Sequence, residues 1–170
     1  MNAPLDAGPT DPQDFGFLVG DWDVAHRRRT DFLDAGSAWA EFAATSRCWS
    51  LFDGAGNIDE MDVPGQGWMG LTLRLRDRES GLWSLHWSSS RSGRLFPPVI
   101  GGFTDGRGDF YGDDTYDGKD VRVRYVWSAI SRDTARWEQA FSVDGEKSWV
   151  TNWVMEFTRR RVPASGTPAG

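Results

Sequence analysis

Apolar and polar residues alternate along this chain in short stretches, and each stretch ends in a turn signal. Asp-Gly recurs at Asp53-Gly54, Asp105-Gly106, Asp117-Gly118 and Asp144-Gly145, with looser turns at Asp77–Gly81 and Ser131–Asp133. A period of two between such turns predicts antiparallel strands joined by hairpins, because Asp-Gly accepts the left-handed backbone that tight hairpins need. The pattern predicts strands near residues 21–29, 37–51, 57–63, 67–76, 82–89, 99–104, 108–113, 120–130, 134–143 and 148–160. Thr10-Asp11-Pro12 reads as the cap and first turn of a short N-terminal helix, which runs to about Leu18 and is ended by Gly20. No internal segment carries a helical period of useful length. Residues 1–10 and 162–170 are small, polar and rich in Pro or Gly, and are expected to be disordered tails on a single domain at 11–161.

Two hairpins can be read in register. A loop at Ser131–Asp133 sets Ile130 opposite Thr134, and then Trp127 opposite Trp137, Tyr125 opposite Gln139 and Val123 opposite Phe141. The other face pairs Ser128 with Arg136, Val126 with Glu138 and Arg124 with Ala140. One side is aromatic and the other mostly polar, as a half-buried sheet requires. A loop at Asp77–Gly81 sets Leu75 opposite Trp83, Leu73 opposite Leu85 and Leu71 opposite Trp87, with Arg74, Ser84, Thr72 and His86 on the reverse. In the last strand Trp149, Thr151, Trp153, Met155 and Phe157 share a face by the same alternation.

An open sheet of this size would leave two unpaired edges and a wide apolar face in water. Closure removes both. The expected fold is therefore all-β: a single closed or nearly closed antiparallel up-and-down barrel of about ten strands, in which about eight already leave room for a small ligand.

Composition sharpens this picture at three points. Ten of the 170 residues are Trp, enough large rings to line a pocket or fill it. The formal net charge is −6, which argues against nucleic acid; Arg27-Arg28-Arg29 reads as a solvated strand end. Cys48 is the single cysteine and reads as a buried structural thiol, so no intrachain disulfide forms and nothing suggests an oxidising compartment. With no apolar run near the ~20 residues of a membrane helix, the protein is expected in the cytoplasm and off the membrane.

Phe17-Leu18-Val19-Gly20-Asp21-Trp22 resembles the opening of calycin-type barrels, where a Gly-x-Trp begins the first strand and the Trp plugs one end. The string Arg136-Trp137-Glu138-Gln139-Ala140-Phe141-Ser142, then Asp144-Gly145, Trp149, Asn152-Trp153, Met155-Glu156-Phe157 and Arg159, resembles the uncharacterised domain family DUF1579. That resemblance spans about residues 13–160 and implies a lipocalin-like barrel, with no catalytic residues to carry over. Nitrobindin-like haem barrels use Gly-x-Trp-x-Gly-x-Gly and a C-terminal His. Gly20-Asp21-Trp22-Asp23-Val24-Ala25-His26 lacks those glycines and Trp149–Arg159 has no His, so no cofactor is expected.

The candidate wall of the cavity is Trp22, Leu73, Trp127, Trp137, Trp153, Met155 and Phe157, with His26, Tyr125 and Gln139 setting polarity. His26 shares the face of Trp22 and Val24, and with Tyr125 is the candidate for acid–base work. Asp59, Glu60 and Asp62, and Asp113, Asp114 and Asp117, read as solvated charge, and no metal-ligand spacing occurs. Ser88–Pro98 is either a plain connector or a lid carrying Leu95 and Phe96. The expected function is to hold a small hydrophobic or aromatic molecule in a Trp-lined cavity. The alternatives are an isomerase- or cyclase-type enzyme acting in that cavity, and a filled barrel that forms a homodimer.

Overall fold

A computed structural model describes residues 14–161. The expected tails, and the helix start at Thr10–Pro12, lie outside the described residues. Ten strands follow in chain order: β1 (Gly20–Arg29), β2 (Trp39–Leu51), β3 (Gly56–Val63), β4 (Trp68–Arg76), β5 (Trp83–Ser89), β6 (Val99–Thr104), β7 (Arg107–Tyr116), β8 (Lys119–Ser128), β9 (Thr134–Ser142) and β10 (Val150–Arg159). Each pairs antiparallel with the next, and β1 pairs with β10, so the sheet closes into an up-and-down barrel with no free edge. In place of the expected N-terminal helix there is a single 3-10 turn, Gly16–Leu18.

Turn chemistry acts where the sequence places it. Asp105-Gly106 and Asp117-Gly118 all have positive φ (51°, 74°, 49° and 74°), the two-residue hairpin geometry that matches strand twist. Between β5 and β7 the strands are thinned instead: a Cβ on Gly101 would lie 1.9 Å from the Asp109 carbonyl oxygen, so only glycine fits.

One end of the barrel is packed shut. Trp22 is fully buried there, its indole N–H donating to the Leu18 carbonyl at 2.8 Å. Arg159 lies 4.2 Å above the Trp22 ring and donates to the carbonyls of Val19 (2.8 Å), Phe17 (2.6 Å) and Arg132 (2.7 Å). Phe15 fills the space behind, with its ring 5.1 Å from Trp83, 4.8 Å from Phe103 and 6.0 Å from Trp127. Edge-on ring contacts of this kind pack a core densely and leave no room for a ligand at this end.

The β8–β9 hairpin has the register read from sequence, including Trp127 opposite Trp137 and Tyr125 opposite Gln139. The β4–β5 hairpin does not. Arg76 faces Trp83, Arg74 faces Leu85 and Leu73 faces His86, one residue away from the expected pairing. The loop is even-numbered where an odd one was expected: the Asp77 N–H donates to the Leu82 carbonyl at 2.8 Å, leaving 78–81 at the tip, while the Asp77 carboxylate collects the N–H groups of Glu79 and Ser80. A slip of one residue turns a strand's faces over. Leu73 and Leu75 therefore lie half-buried on the outer face beside Ile58 and Ser84, and Arg74 points into the barrel. The Trp83, Leu85 and Trp87 face of β5 is inward as expected, and His86 lies outside.

Alternation in β10 also breaks, at a bulge between Thr151 and Trp153. Trp153, Met155 and Phe157 follow it on the inner face, while Trp149 packs outside against Tyr111 (6.1 Å) and Arg124 (4.5 Å). The extra residue, Asn152, is fully buried.

Candidate functional site

Above the packed end the inner faces of the strands enclose a cavity of about 370 Å³ that opens at the other end of the barrel. Aromatic rings contribute much of its wall. Trp137 meets Tyr125 edge-on at 4.9 Å and Trp153 at 5.8 Å, and Trp68 and Trp87 stand 6.1 and 6.2 Å from Trp153. Of the sequence-derived candidates, Tyr125, Trp127, Trp137, Gln139, Trp153, Met155 and Phe157 line this space. Trp22, His26 and Leu73 do not: Trp22 belongs to the packed end, His26 sits behind Trp153, and Leu73 faces outward.

The His26 ring stacks on Phe42 at 4.6 Å, and its Nδ1 accepts the Trp153 indole N–H at 3.0 Å. That bond puts the ring proton on Nε2, which is buried without a partner. Burial, and next the charge of Arg28, lower the pKa of His26 to about 4. The group is a neutral acceptor that fixes Trp153 against the cavity. The Cys48 thiol is likewise withdrawn from chemistry, pushed up to about 12 by burial.

Polar chemistry reaches the cavity from three places, two of them missed from sequence. Toward the packed end, Arg74 Nη1 lies 2.6 Å from an Asp59 carboxylate oxygen and donates to the Asn57 side-chain oxygen at 3.1 Å. Asn57 in turn donates to the Phe15 carbonyl at 3.3 Å. Both charged side chains are nearly inaccessible, at 5% and 10% of full exposure, so Asp59 is no solvated charge. Asn57, Asp59, Met61 and Val63 alternate along the inner face of β3, while Glu60 and Asp62 face water as expected. That alternation was the available signal. A dense run of carboxylates masked it.

Midway along the wall, Gln139 donates to Asn152 at 2.9 Å, and Asn152 donates to the Phe32 carbonyl at 3.2 Å. Tyr125 stands opposite Gln139 across the strands, as expected, but is not its hydrogen-bond partner. The β10 bulge supplies Asn152 instead, and leaves the Tyr125 hydroxyl without a partner among the described residues. Burial, with a smaller contribution from Asp114, pushes the Tyr125 phenol well above its ordinary range, so it stays protonated and can donate.

Two loops cover the mouth. Phe32, from the β1–β2 connection, stacks on Tyr116 at 5.2 Å and takes the Tyr116 hydroxyl at its own N–H at 3.4 Å. From Ser88–Pro98, Phe96 folds onto Trp87 at 4.9 Å and lines the cavity, while Leu95 points to solvent. Arg28 stands between them. Among the described residues no three His, Cys, Asp or Glu side chains gather as metal ligands, and no helix is long and apolar enough to cross a membrane.

No protein-family model matches the chain, and no curated protein matches it either.

Proposed function

We propose that this protein binds a small, largely apolar or aromatic molecule inside the barrel. The observation that carries this reading is the open cavity of about 370 Å³ walled by aromatic rings, a volume within the range of small-molecule sites. Polar groups interrupt the wall, Arg74 and Gln139 within it and Arg28 at the mouth, and groups of this kind orient a ligand. A barrel closed at both ends and filled would leave no such space. Acid–base work by His26 loses its support, because the ring is spent on Trp153 and does not reach the cavity. Kinship with DUF1579 and residence in the cytoplasm belong to the same proposal: the first rests on the Arg136–Arg159 string, the second on the single unpaired cysteine.

Titration with N-phenyl-1-naphthylamine, an uncharged dye that fluoresces on entering apolar sites, tests the reading. One dye per folded chain, with energy transfer from Trp, is the expected result. Absence of binding to the folded protein would refute the cavity as a site. Native mass spectrometry of protein purified from its own host would then weigh any retained molecule.

A further inference from the structure

Arg28 is the one arginine at the mouth that points inward along β1, following Trp22, Val24 and His26. Its guanidinium lies 4.7 Å from the Phe32 ring centroid and 4.7 Å from that of Trp153, so two rings hold its plane. Among the described residues no carboxylate comes within ion-pair distance of it, and its Nε is buried with no hydrogen-bond partner. Several other arginines have carboxylate partners: Arg27 with Glu41, Arg74 with Asp59, and Arg122 with both Asp113 and Glu146. Among the described residues Arg29 and Arg124 also lack one, but they pack on Trp39 and Trp149 and do not line the cavity.

Neither of the groups that act on Arg28 is a carboxylate. They are the Tyr116 phenol and a second cation, Arg91. His26, directly behind, is neutral. Two carboxylates also reach the rim, but Asp113 is held by Arg122 at 3.2 Å, and Asp114 accepts the Thr115 N–H at 2.7 Å and acts on Tyr125. Burial first, and then Arg91, lower the Arg28 pKa, while the Tyr116 phenol raises it. In a chain of net charge −6, this arginine is held half-buried and oriented at the entrance to the cavity, with no carboxylate among the described residues at ion-pair distance.

We propose that Arg28 binds the carboxylate, or an equivalent sulfonate or sulfate, of an aromatic acid whose ring system lies among Trp137, Trp153 and Tyr125. This rests on the cavity being a binding site. The two rings preorganise the guanidinium, so little freedom is lost when its free edge donates to both oxygens of an anion. Rings edge-on to one another favour a flat aromatic body. Arg91 adds a weaker, solvent-screened attraction at the rim.

The test uses two dyes with one skeleton. 1-Anilinonaphthalene-8-sulfonate carries an anion that N-phenyl-1-naphthylamine lacks. The wild-type protein is expected to bind the sulfonate at least tenfold more tightly than the uncharged dye. Arg28→Gln is expected to erase that difference while changing the uncharged dye less than about threefold, and Arg28→Lys to restore part of it. Unchanged sulfonate affinity in Arg28→Gln, with the uncharged dye still bound, would overturn the anion site and leave the cavity standing. Loss of both dyes in Arg28→Gln would make Arg28 a clamp on the Phe32 loop, and would overturn it as well. If the wild-type protein binds neither dye, the cavity itself fails and this assignment with it.

Discussion

The Asp59 carboxylate lies 2.6 Å from the Arg74 guanidinium inside the barrel, between the cavity and the ring cluster around Phe15. Desolvating two charges costs several kcal/mol each, and their attraction offsets it only because Asn57 completes the geometry. Removing one partner leaves the other charged, buried and alone. Asp59→Asn is expected to lower unfolding free energy by about 3–5 kcal/mol, read as a shifted urea midpoint. The double variant Asp59→Leu/Arg74→Met is expected to recover much of the loss. A single variant within about 0.5 kcal/mol of wild type would mean that water already reaches the pair.

His26 makes stability depend on pH. Its folded pKa, about 4, lies below the 6.5 of the unfolded chain, so between these values the unfolded state binds the extra proton. The contribution is therefore complete above about pH 6.5 and is lost as pH falls toward 4. At pH 5 the loss relative to pH 7.5 is about 2 kcal/mol. Urea melts at the two pH values measure it, and His26→Gln is expected to flatten the difference. Equal slopes in wild type and variant would assign the acid sensitivity elsewhere.

The chain of bonds from Gln139 through Asn152 to the Phe32 carbonyl ties the cavity wall to its cover. Gln139→Leu strands the Asn152 oxygen in the interior, at about 1–3 kcal/mol. Amide exchange between residues 30 and 38 is expected to rise in this variant, since Asn152, the loop's inner anchor, loses the bond that orients it. Protection equal to wild type in that segment would show that Tyr116 alone holds Phe32.

Cys48 offers a probe of opening. At 4% exposure, and with its pKa pushed up to about 12, the thiol is expected to ignore a disulfide reagent at pH 8 until the barrel unfolds. Modification in step with global unfolding in urea is the expected trace. Rapid labelling in native buffer would reveal a local opening at β2.

Alternation and turn residues were enough to derive the strands, the closure and the inward faces of β5, β8 and β9. Trp127, Trp137 and Tyr125 were placed correctly because a one-residue slip would have put two indoles in water. β4 was different. Leu71, Leu73 and Leu75 outbid Arg74 on hydrophobicity alone, and nothing local reveals that Asp59 and Asn57 wait across the barrel to receive a guanidinium. The same holds for Asn152, whose inward turn needs a bulge opposite β9, and for Arg28, which in the chain is one of three consecutive arginines. A strand's period reports which residues can share a side. Which side faces the centre, and which charges are left there without a partner, is settled only when distant strands are brought within a few ångströms, since burial and pairing are properties of neighbours that the chain holds far apart.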